Sequence, residues 1–184
     1  MPAAASPFAV SVLDLERRPG DARALELDVV VPESIGTVVI RIPQGSTLRI
    51  DGRMESLHEG ILVTAEIDGD LEGECVRCLT GLTRPLQVEF QELFAYTPDE
   101  AFDYLVQDDA VDLEQVVRDS VVPALPFQPV CVEDCPGLCQ ECGVRLLDEP
   151  GHAHEPQIDA RWAALSQLAT REPDQHDQPT EAGA

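Results

Sequence analysis

Six cysteines and two histidines constrain the fold of this 184-residue chain more than any other feature of its sequence. The cysteines fall in two stretches, and the histidines follow the second stretch closely: Cys75 and Cys78, then Cys131, Cys135, Cys139 and Cys142, then His152 and His154. Thiolates in Cys-x-x-Cys pairs, with histidines nearby, are typical ligands of structural zinc. Gly143 directly follows Cys142, where glycine lets the chain fold under a metal. The spacing therefore predicts loops that are held together by metal.

Eight ligands suffice for two four-coordinate sites, and we prefer that partition. It places Cys75, Cys78, Cys131 and Cys135 in the first site and Cys139, Cys142, His152 and His154 in the second. The alternative is one site that joins the two Cys-x-x-Cys pairs, Cys75 and Cys78 with Cys139 and Cys142. Thiolate-rich sites of this kind favour zinc or, less often, an iron–sulfur cluster. The sequence alone leaves both the partition and the metal open.

Redox-active dithiols and disulfides are the competing explanations for the cysteines. Disulfides require an oxidising compartment. The first ten residues lack the basic and apolar regions of a secretory signal, and no apolar run approaches the ~20 residues that span a bilayer. We therefore expect a cytoplasmic protein with reduced cysteines. A site closed by four protein ligands has no open position for a substrate, so the expected zinc, one ion or two, is structural.

Alternating apolar and polar residues dominate the first half of the chain. Leu48, Ile50 and Met54 alternate with charged residues, and the same pattern recurs over residues 63–71 and 86–90. Turns at residues 58–60 and 80–81 contain glycine. This pattern predicts an antiparallel meander. Earlier apolar runs, ended in two cases by Pro32 and Pro43, predict further strands at Phe8–Leu15, Leu25–Val31 and Val38–Ile42.

An acidic stretch separates this sheet from the second group of cysteines. Residues 99–119 contain eight acidic residues and one arginine, which predicts a solvated connection or an acidic docking edge. Within it, Asp112 is expected to cap a helix that ends at Pro123 and Pro126. The apolar stripe of that helix is Leu113, Val116, Val117, Val121 and Ala124. A second, short helix is expected to begin at Asp159, with Trp162, Leu165 and Ala169 on one side.

The predicted fold class is α+β, with a mostly antiparallel sheet or partial barrel in the N-terminal half. Residues 1–98 would form the β domain with the first Cys-x-x-Cys pair, and residues 99–127 the acidic connection and amphipathic helix. Residues 128–170 would form the Cys/His-rich metal-binding segment with the short helix. Residues 171–184 are too polar to bury a core and predict a disordered tail.

The charge of the chain limits its partners. Twelve arginines and no lysine stand against 35 acidic residues, for a net charge of −23. Such a field repels phosphate backbones, and the densest basic group is only Arg17, Arg18 and Arg23. A basic protein partner is therefore expected, with no membrane and no small-molecule substrate. The sequence has no phosphate-binding loop, dinucleotide fingerprint or nucleophile elbow, so we expect a protein that is not an enzyme.

Several motifs in this order resemble the YceD family, bacterial and plastid proteins named for the accumulation of large-subunit ribosomal RNA. They are Glu59-Gly-Ile-Leu-Val-Thr64, Gly73-Glu-Cys-Val-Arg-Cys-Leu79, Gln91-Glu-Leu-Phe94, Val111-Asp-Leu-Glu114, Leu125-Pro126 and Cys131-Val-Glu-Asp-Cys-Pro-Gly-Leu-Cys-Gln-Glu-Cys-Gly143. The resemblance covers roughly residues 8–170. Similar members often carry Cys-x-Cys where His152-Ala-His154 stands here, and Asp-Pro-Arg-Trp where Asp159-Ala-Arg-Trp162 stands.

The resemblance implies a ribosome biogenesis factor that supports accumulation of large-subunit ribosomal RNA. Together with the acidic charge, it predicts a non-enzymatic protein that contacts a basic ribosomal protein or a large-subunit assembly intermediate. Two alternatives stay open at this point. One is a redox-sensitive zinc-binding regulator that releases its metal on oxidation. The other is a direct rRNA-binding module, in which Arg77 would be the residue of interest.

Overall fold

The protein is described by a computed structural model that covers residues 6–15, 19–154 and 161. Within these residues the chain forms strands and one helix. The strands are β1 (Ala9–Ser11), β2 (Ala22–Val30), β3 (Ile35–Gly36), β4 (Ile40–Ile42), β5 (Thr47–Ser56), β6 (Gly60–Glu74), β7 (Gly81–Ala95), β8 (Tyr104–Leu105) and β9 (Ala110–Asp112), and the helix is α1 (Glu114–Ala124). Every strand pair is antiparallel except β7 with β8. The prediction of a mostly antiparallel β fold is confirmed.

The long strand β6 organises a seven-stranded sheet. It pairs with β7 along its whole length, from Gly60 opposite Ala95 to Glu74 opposite Gly81. It also pairs with β5 over residues 61–68 and with β4 over residues 72–73. Gly69 lies where the partner changes, and a Cβ atom there would be 2.4 Å from Cδ2 of Leu48. Glycine at this position therefore lets Leu48 pack across the strand.

The two faces of the sheet follow the alternation in the sequence. The predicted apolar residues of β5, β6 and β7 are buried or half-buried, and the polar residues between them are exposed or half-exposed. Strand β7 also contains Pro85, paired opposite Asp70. Among the described strands, none pairs with the other side of β7 before Phe94. On that side, the backbone N–H that Pro85 lacks would have no strand to bond to.

Helix α1 and the N-terminal segment close the buried face of the sheet. Their contributions to the core are Phe8, Val12, Leu15, Leu113, Val116, Val117 and Val121. The helix differs from expectation at both ends. Asp112 lies in β9 and accepts a hydrogen bond from the Glu114 N–H (3.0 Å), while Leu113 occupies the N-cap position. Pro123 lies inside the last turn, and the helix ends because Leu125, which precedes Pro126, is extended.

The acidic stretch is more ordered than a solvated connection. It contains β8 and β9, and β9 pairs with β1 in a separate two-stranded sheet. Asp108 and Asp109 both have positive φ angles, 49° and 56°, between the bridged residues Gln107 and Ala110. Aspartate tolerates the left-handed conformation that a tight reverse turn requires, so acidic residues here form a turn as well as a charged surface.

The chain divides into two compact units, residues 1–138 and residues 139–184. The sheets and α1 belong to the first unit. The four-segment division drawn from composition stays a prediction. The helix expected from Asp159, the tail at 171–184 and the Arg17-Arg18 pair lie outside the described residues. None of the helices in the described part of the chain has the length and apolarity that a membrane crossing requires.

Candidate metal centres

The first Cys-x-x-Cys pair lies in the turn that joins β6 to β7. The backbone N–H of Cys75 donates to the Thr80 carbonyl (2.8 Å), and the Leu79 N–H donates to the Cys75 carbonyl (2.8 Å). Leu79 has a φ of 58°, a left-handed conformation that is rare for a bulky residue. This turn, residues 75–80, is called knuckle 1 below. It directs the two thiols, both buried, to one side of the connection.

A loop that follows α1 brings two more cysteines to knuckle 1. The Val76 N–H donates to the Pro129 carbonyl (2.9 Å), so the loop runs beside the turn. The Arg77 guanidinium donates to the carbonyl of Cys135 (3.0 Å) and reaches that of Glu133 (3.5 Å). These bonds hold Cys131 and Cys135 over Cys75 and Cys78, although more than fifty residues separate the pairs.

The four thiols form a compact group, called cluster 1. Sγ of Cys75 lies 3.8 Å from Sγ of Cys135, and Sγ of Cys78 lies 3.5 Å from Sγ of Cys131. All four sulfurs lie within 4.8 Å of one another. Zinc–sulfur bonds of 2.3 Å in a tetrahedron place the sulfurs about 3.8 Å apart. The geometry therefore fits one tetrahedral ion, and an iron–sulfur cluster, with several irons and sulfides between the thiolates, would need a wider opening.

Hydrogen bonds in knuckle 1 favour thiolates, which are the form that binds metal. Burial opposes ionisation of Cys75, but backbone N–H groups of Cys131, Arg77 and Cys78 donate to its sulfur and lower the pKa to about 6. The Thr80 hydroxyl and backbone N–H lower the pKa of Cys78. Burial and the neighbouring sulfurs act in the opposite direction on the loop cysteines, and the pKa values of Cys131 and Cys135 are raised. A bound cation would remove that repulsion between sulfurs.

The second group, called cluster 2, lies in the C-terminal unit. Sγ of Cys142 lies 3.2 Å from Nε2 of His152 and 3.3 Å from Nε2 of His154, and the two Nε2 atoms are 2.9 Å apart. The Cys139 sulfur completes the group within 4.8 Å. Two thiolates with two imidazole nitrogens match the ligands of a structural zinc site. The residues therefore fit zinc in both number and type.

A turn like knuckle 1 presents the cysteines of cluster 2. The Gly143 N–H donates to the Cys139 carbonyl (2.9 Å), and the Cys139 N–H donates to the Val144 carbonyl (2.8 Å). Gly143 has a φ of 73°. The backbone N–H groups of Cys142 and Glu141 lower the pKa of Cys139 to about 6. This turn, residues 139–144, is called knuckle 2 below.

Two carboxylates face the outer nitrogens of the histidines. Nδ1 of His152 lies 3.4 Å from the Glu149 carboxylate, and Nδ1 of His154 lies 3.4 Å from the Glu141 carboxylate. A carboxylate behind a metal-binding histidine fixes the tautomer that leaves Nε2 free to bind the metal. Both histidines thus present Nε2 to the cluster.

Exposure separates the two clusters. The cysteines of cluster 1 are buried, apart from the half-buried Cys131. Cluster 2 contains the exposed Cys142 and His154 and the half-buried Cys139 and His152. All eight sequence-predicted residues therefore lie in two groups, divided as in the preferred partition. That they bind metal stays a prediction.

Sequence reasoning did not find the residues that support the ligands. Glu141 and Glu149 are indistinguishable by type from the other acidic residues of so acidic a chain, and only the fold selects them. Thr80 and Leu79 gave no signal beyond their position in the turn. Arg77, the residue of interest for RNA binding, donates its guanidinium hydrogens to backbone carbonyls of the 129–135 loop.

Fold and clusters together define an antiparallel β protein that carries two knuckles suited to zinc. The chain belongs to the YceD family, because the family model described as large ribosomal RNA subunit accumulation protein YceD matches residues 63–169. An uncharacterized protein of Mycobacterium tuberculosis is 47% identical over 178 residues, 92% of this chain and 85% of the relative. An uncharacterized protein of Mycobacterium leprae is 40% identical over 171 residues, 89% of this chain and 78% of the relative.

A more distant relative comes from another bacterium. The uncharacterized protein YlbN of Bacillus subtilis is 27% identical over 128 residues, which is 67% of this chain and 74% of the relative. No solved structure matches this chain. Family membership supports a ribosome-related role.

Proposed function

We propose that this protein is a non-enzymatic ribosome biogenesis factor of the cytoplasm that supports accumulation of large-subunit ribosomal RNA. It acts by contacting a basic ribosomal protein, free or within an assembly intermediate, through its acidic sheet. Zinc in the two clusters is structural: cluster 1 would hold the loop at 129–135 against the sheet, and cluster 2 would hold the C-terminal unit together. The family match supports the ribosomal role. A row of carboxylates on the sheet is the observation that favours a basic protein as the partner.

The row crosses four neighbouring strands in register. Glu26 of β2 is paired opposite Asp51 of β5, Asp51 opposite Glu66 of β6, and Glu66 opposite Glu89 of β7. All four side chains are exposed or half-exposed. Asp51, Glu66 and Glu89 also line a shallow hollow of about 600 Å³ on this face. These four residues are called the acidic row below.

Like charges directly opposite each other destabilise a sheet, so this arrangement works against the fold itself. Arg49 pairs with Asp51, and within the described part of the chain no cation lies within 4.0 Å of Glu26, Glu66 or Glu89. A cationic partner would relieve the repulsion when it binds. The acidic row therefore favours an arginine- or lysine-rich partner over a negatively charged nucleic acid.

Six of the seven described arginines of the first unit, all except the exposed Arg41, are already engaged, which weakens the case for direct RNA binding. Arg23, Arg49, Arg53 and Arg118 pair with carboxylates. Arg77 and Arg84 donate to backbone carbonyls of the 129–135 loop. A phosphate backbone would have to compete with these partners as well as with the overall charge.

The test is capture of basic proteins from salt-washed large ribosomal subunits. We expect the zinc-loaded protein to retain a defined subset of these proteins, and retention to fall as salt rises from 0.05 to 0.5 M, because screening shortens the reach of the charges. The double variant Glu66→Gln/Glu89→Gln should lose most of that retention. Glu100→Gln/Asp103→Asn, which removes the same charge away from the acidic row, is the matched control. Equal retention by both double variants would refute the proposed surface.

A redox-sensitive role is the second candidate, and the exposure of Cys142 favours it. Peroxide would oxidise two thiolates of cluster 2 to a disulfide, be reduced to water, and release the ion. Partner retention measured before and after mild peroxide distinguishes the two roles. Retention that survives the loss of zinc from cluster 2 would exclude the switch and leave the assembly role intact.

A further inference from the structure

The two knuckles share a backbone geometry but differ at one residue. In each, the residue after the second cysteine donates its N–H to the carbonyl of the first cysteine, and its φ is positive. Knuckle 2 has Gly143 there, the residue type that adopts this conformation without strain. Knuckle 1 has Leu79, whose Cβ makes the same conformation costly. The strain at Leu79 indicates that its side chain has a purpose that glycine would not serve.

The side chain of Leu79 does not serve the core. It is 62% exposed, whereas the neighbouring Cys75 and Cys78 are buried. An exposed leucine in a strained turn stabilises neither the turn nor the interior. Its surface is available for another molecule.

Further apolar side chains are exposed around cluster 1. Val76 lies in the same turn and is 40% exposed, and its backbone is bonded to the loop at Pro129. Val132 follows the candidate ligand Cys131 and is 45% exposed. Leu79, Val76 and Val132 are called the knuckle patch. Exposed apolar side chains of this kind are suited to the apolar core of a protein interface.

The surroundings of the patch are negative. Glu74 precedes the turn, and Glu133 and Asp134 follow Val132; all three are exposed. Four thiolates around one Zn²⁺ would add a net charge of −2 to the same region. The two arginines that reach this loop, Arg77 and Arg84, donate to its backbone carbonyls. An apolar segment flanked by arginine or lysine would match both the patch and its rim.

We propose that the knuckle patch is a docking site for an apolar side chain within a basic segment of the ribosomal partner, with Leu79 as its central contact. This inference rests on the proposed function, because it takes the partner to be a basic protein. A second copy of this chain is a poor occupant, since two molecules that each carry −23 repel each other at contact distance. The acidic row and the patch would act together, the row attracting the partner and the patch selecting it.

The experiment replaces Leu79 in the zinc-loaded full chain and measures retention of proteins from salt-washed large subunits. Leu79→Gly should melt no lower than the wild type and keep the same zinc content, because glycine relieves the strained turn, yet retention should fall at least tenfold. Leu13→Gly is the matched control, since Leu13 is 66% exposed and belongs to a turn far from the cluster in sequence. A photo-crosslinking residue at position 79 should attach to an apolar residue of the retained protein.

The outcomes of this experiment distinguish a failure of the inference from a failure of the proposed function on which it rests. Retention that is unchanged in Leu79→Gly but lost in Glu66→Gln/Glu89→Gln would overturn the patch and leave the proposed function standing. A wild-type protein that retains no basic ribosomal protein would overturn both. Equal losses in Leu79→Gly and Leu13→Gly would overturn the patch as well, because the effect would not be specific to knuckle 1.

Discussion

The unusual backbone conformation of Leu79 is visible only in the three-dimensional structure. The sequence marks Gly143 as a position of special conformation, because glycine is the residue that adopts positive φ readily. The same conformation at Leu79 gives no such signal, since leucine is also common in strands and helices. The spacing Cys-x-x-Cys predicted both turns, and only the backbone angles show that they are equivalent.

The arrangement of the acidic row leads to a prediction about the side chain of Glu66. Glu66 lies between Asp51 and Glu89 on neighbouring strands, so Glu66→Gln should raise the free energy of unfolding by about 0.2–1 kcal/mol. Urea denaturation at low salt measures it. Glu100→Gln, outside the row, should have a smaller effect, and a destabilised Glu66→Gln would show that Glu66 makes a favourable contact instead. A variant that is more stable and binds its partner less well would separate folding from function.

At the scale of the elements, exposure predicts the order in which the clusters lose metal. Cluster 2 contains the exposed Cys142, while three of the four cysteines of cluster 1 are buried and Cys131 is half-buried. We expect a chelator to remove one equivalent of zinc quickly and the second much more slowly. A colorimetric zinc indicator follows the release, and Cys142→Ser should abolish the fast phase. A single phase with two equivalents would contradict independent clusters.

Tyr104 links β8 to α1, and its hydroxyl makes the stability of the fold depend on pH. Its hydroxyl donates to the Asp119 carboxylate (2.9 Å), and burial together with that carboxylate raises its pKa. A raised pKa means that folding favours the neutral phenol, so this contribution is complete below the unfolded value near 10 and is lost as pH rises above it. Stability should therefore fall progressively as the pH rises above about 10. Tyr104→Phe should be less stable at pH 8 and show a shallower alkaline loss in urea titrations.

The elements themselves were largely foreseeable. Alternation over residues 48–54 and 63–71 predicted strands and their buried faces, because side chains of a strand point alternately to either side. The helix stripe with Val116, Val117 and Val121 was also predicted, and these residues are buried. The ends of the helix were not predicted correctly. Its start depends on the pairing of Asp112 in β9, and its end depends on Pro123, which the last turn accommodates. The short strands β8 and β9 have too few residues to show a period.

For the whole molecule, zinc content tests the arrangement of both clusters at once. Zinc-loaded wild-type protein should hold two equivalents, and Cys75→Ser and Cys139→Ser should hold one each, because the clusters share no ligand. Atomic emission spectroscopy gives the numbers. Only Cys75→Ser should also expose the 129–135 loop to proteolysis, since cluster 1 joins that loop to the β6–β7 turn. Freshly prepared, reduced wild-type protein that never holds zinc would refute the metal assignment.

The sequence by itself determined the local features: which stretches alternate, where the sheet buries its apolar side, which residues could bind metal, and that the charge repels phosphate. These follow from residue type and spacing over a few positions. The tertiary structure decided how distant stretches meet. It brought Cys131 and Cys135 to knuckle 1, placed Glu141 and Glu149 behind the histidines, and aligned Glu26, Asp51, Glu66 and Glu89 in one row. Those arrangements depend on strand register and loop paths, which are set by the packing of the whole chain.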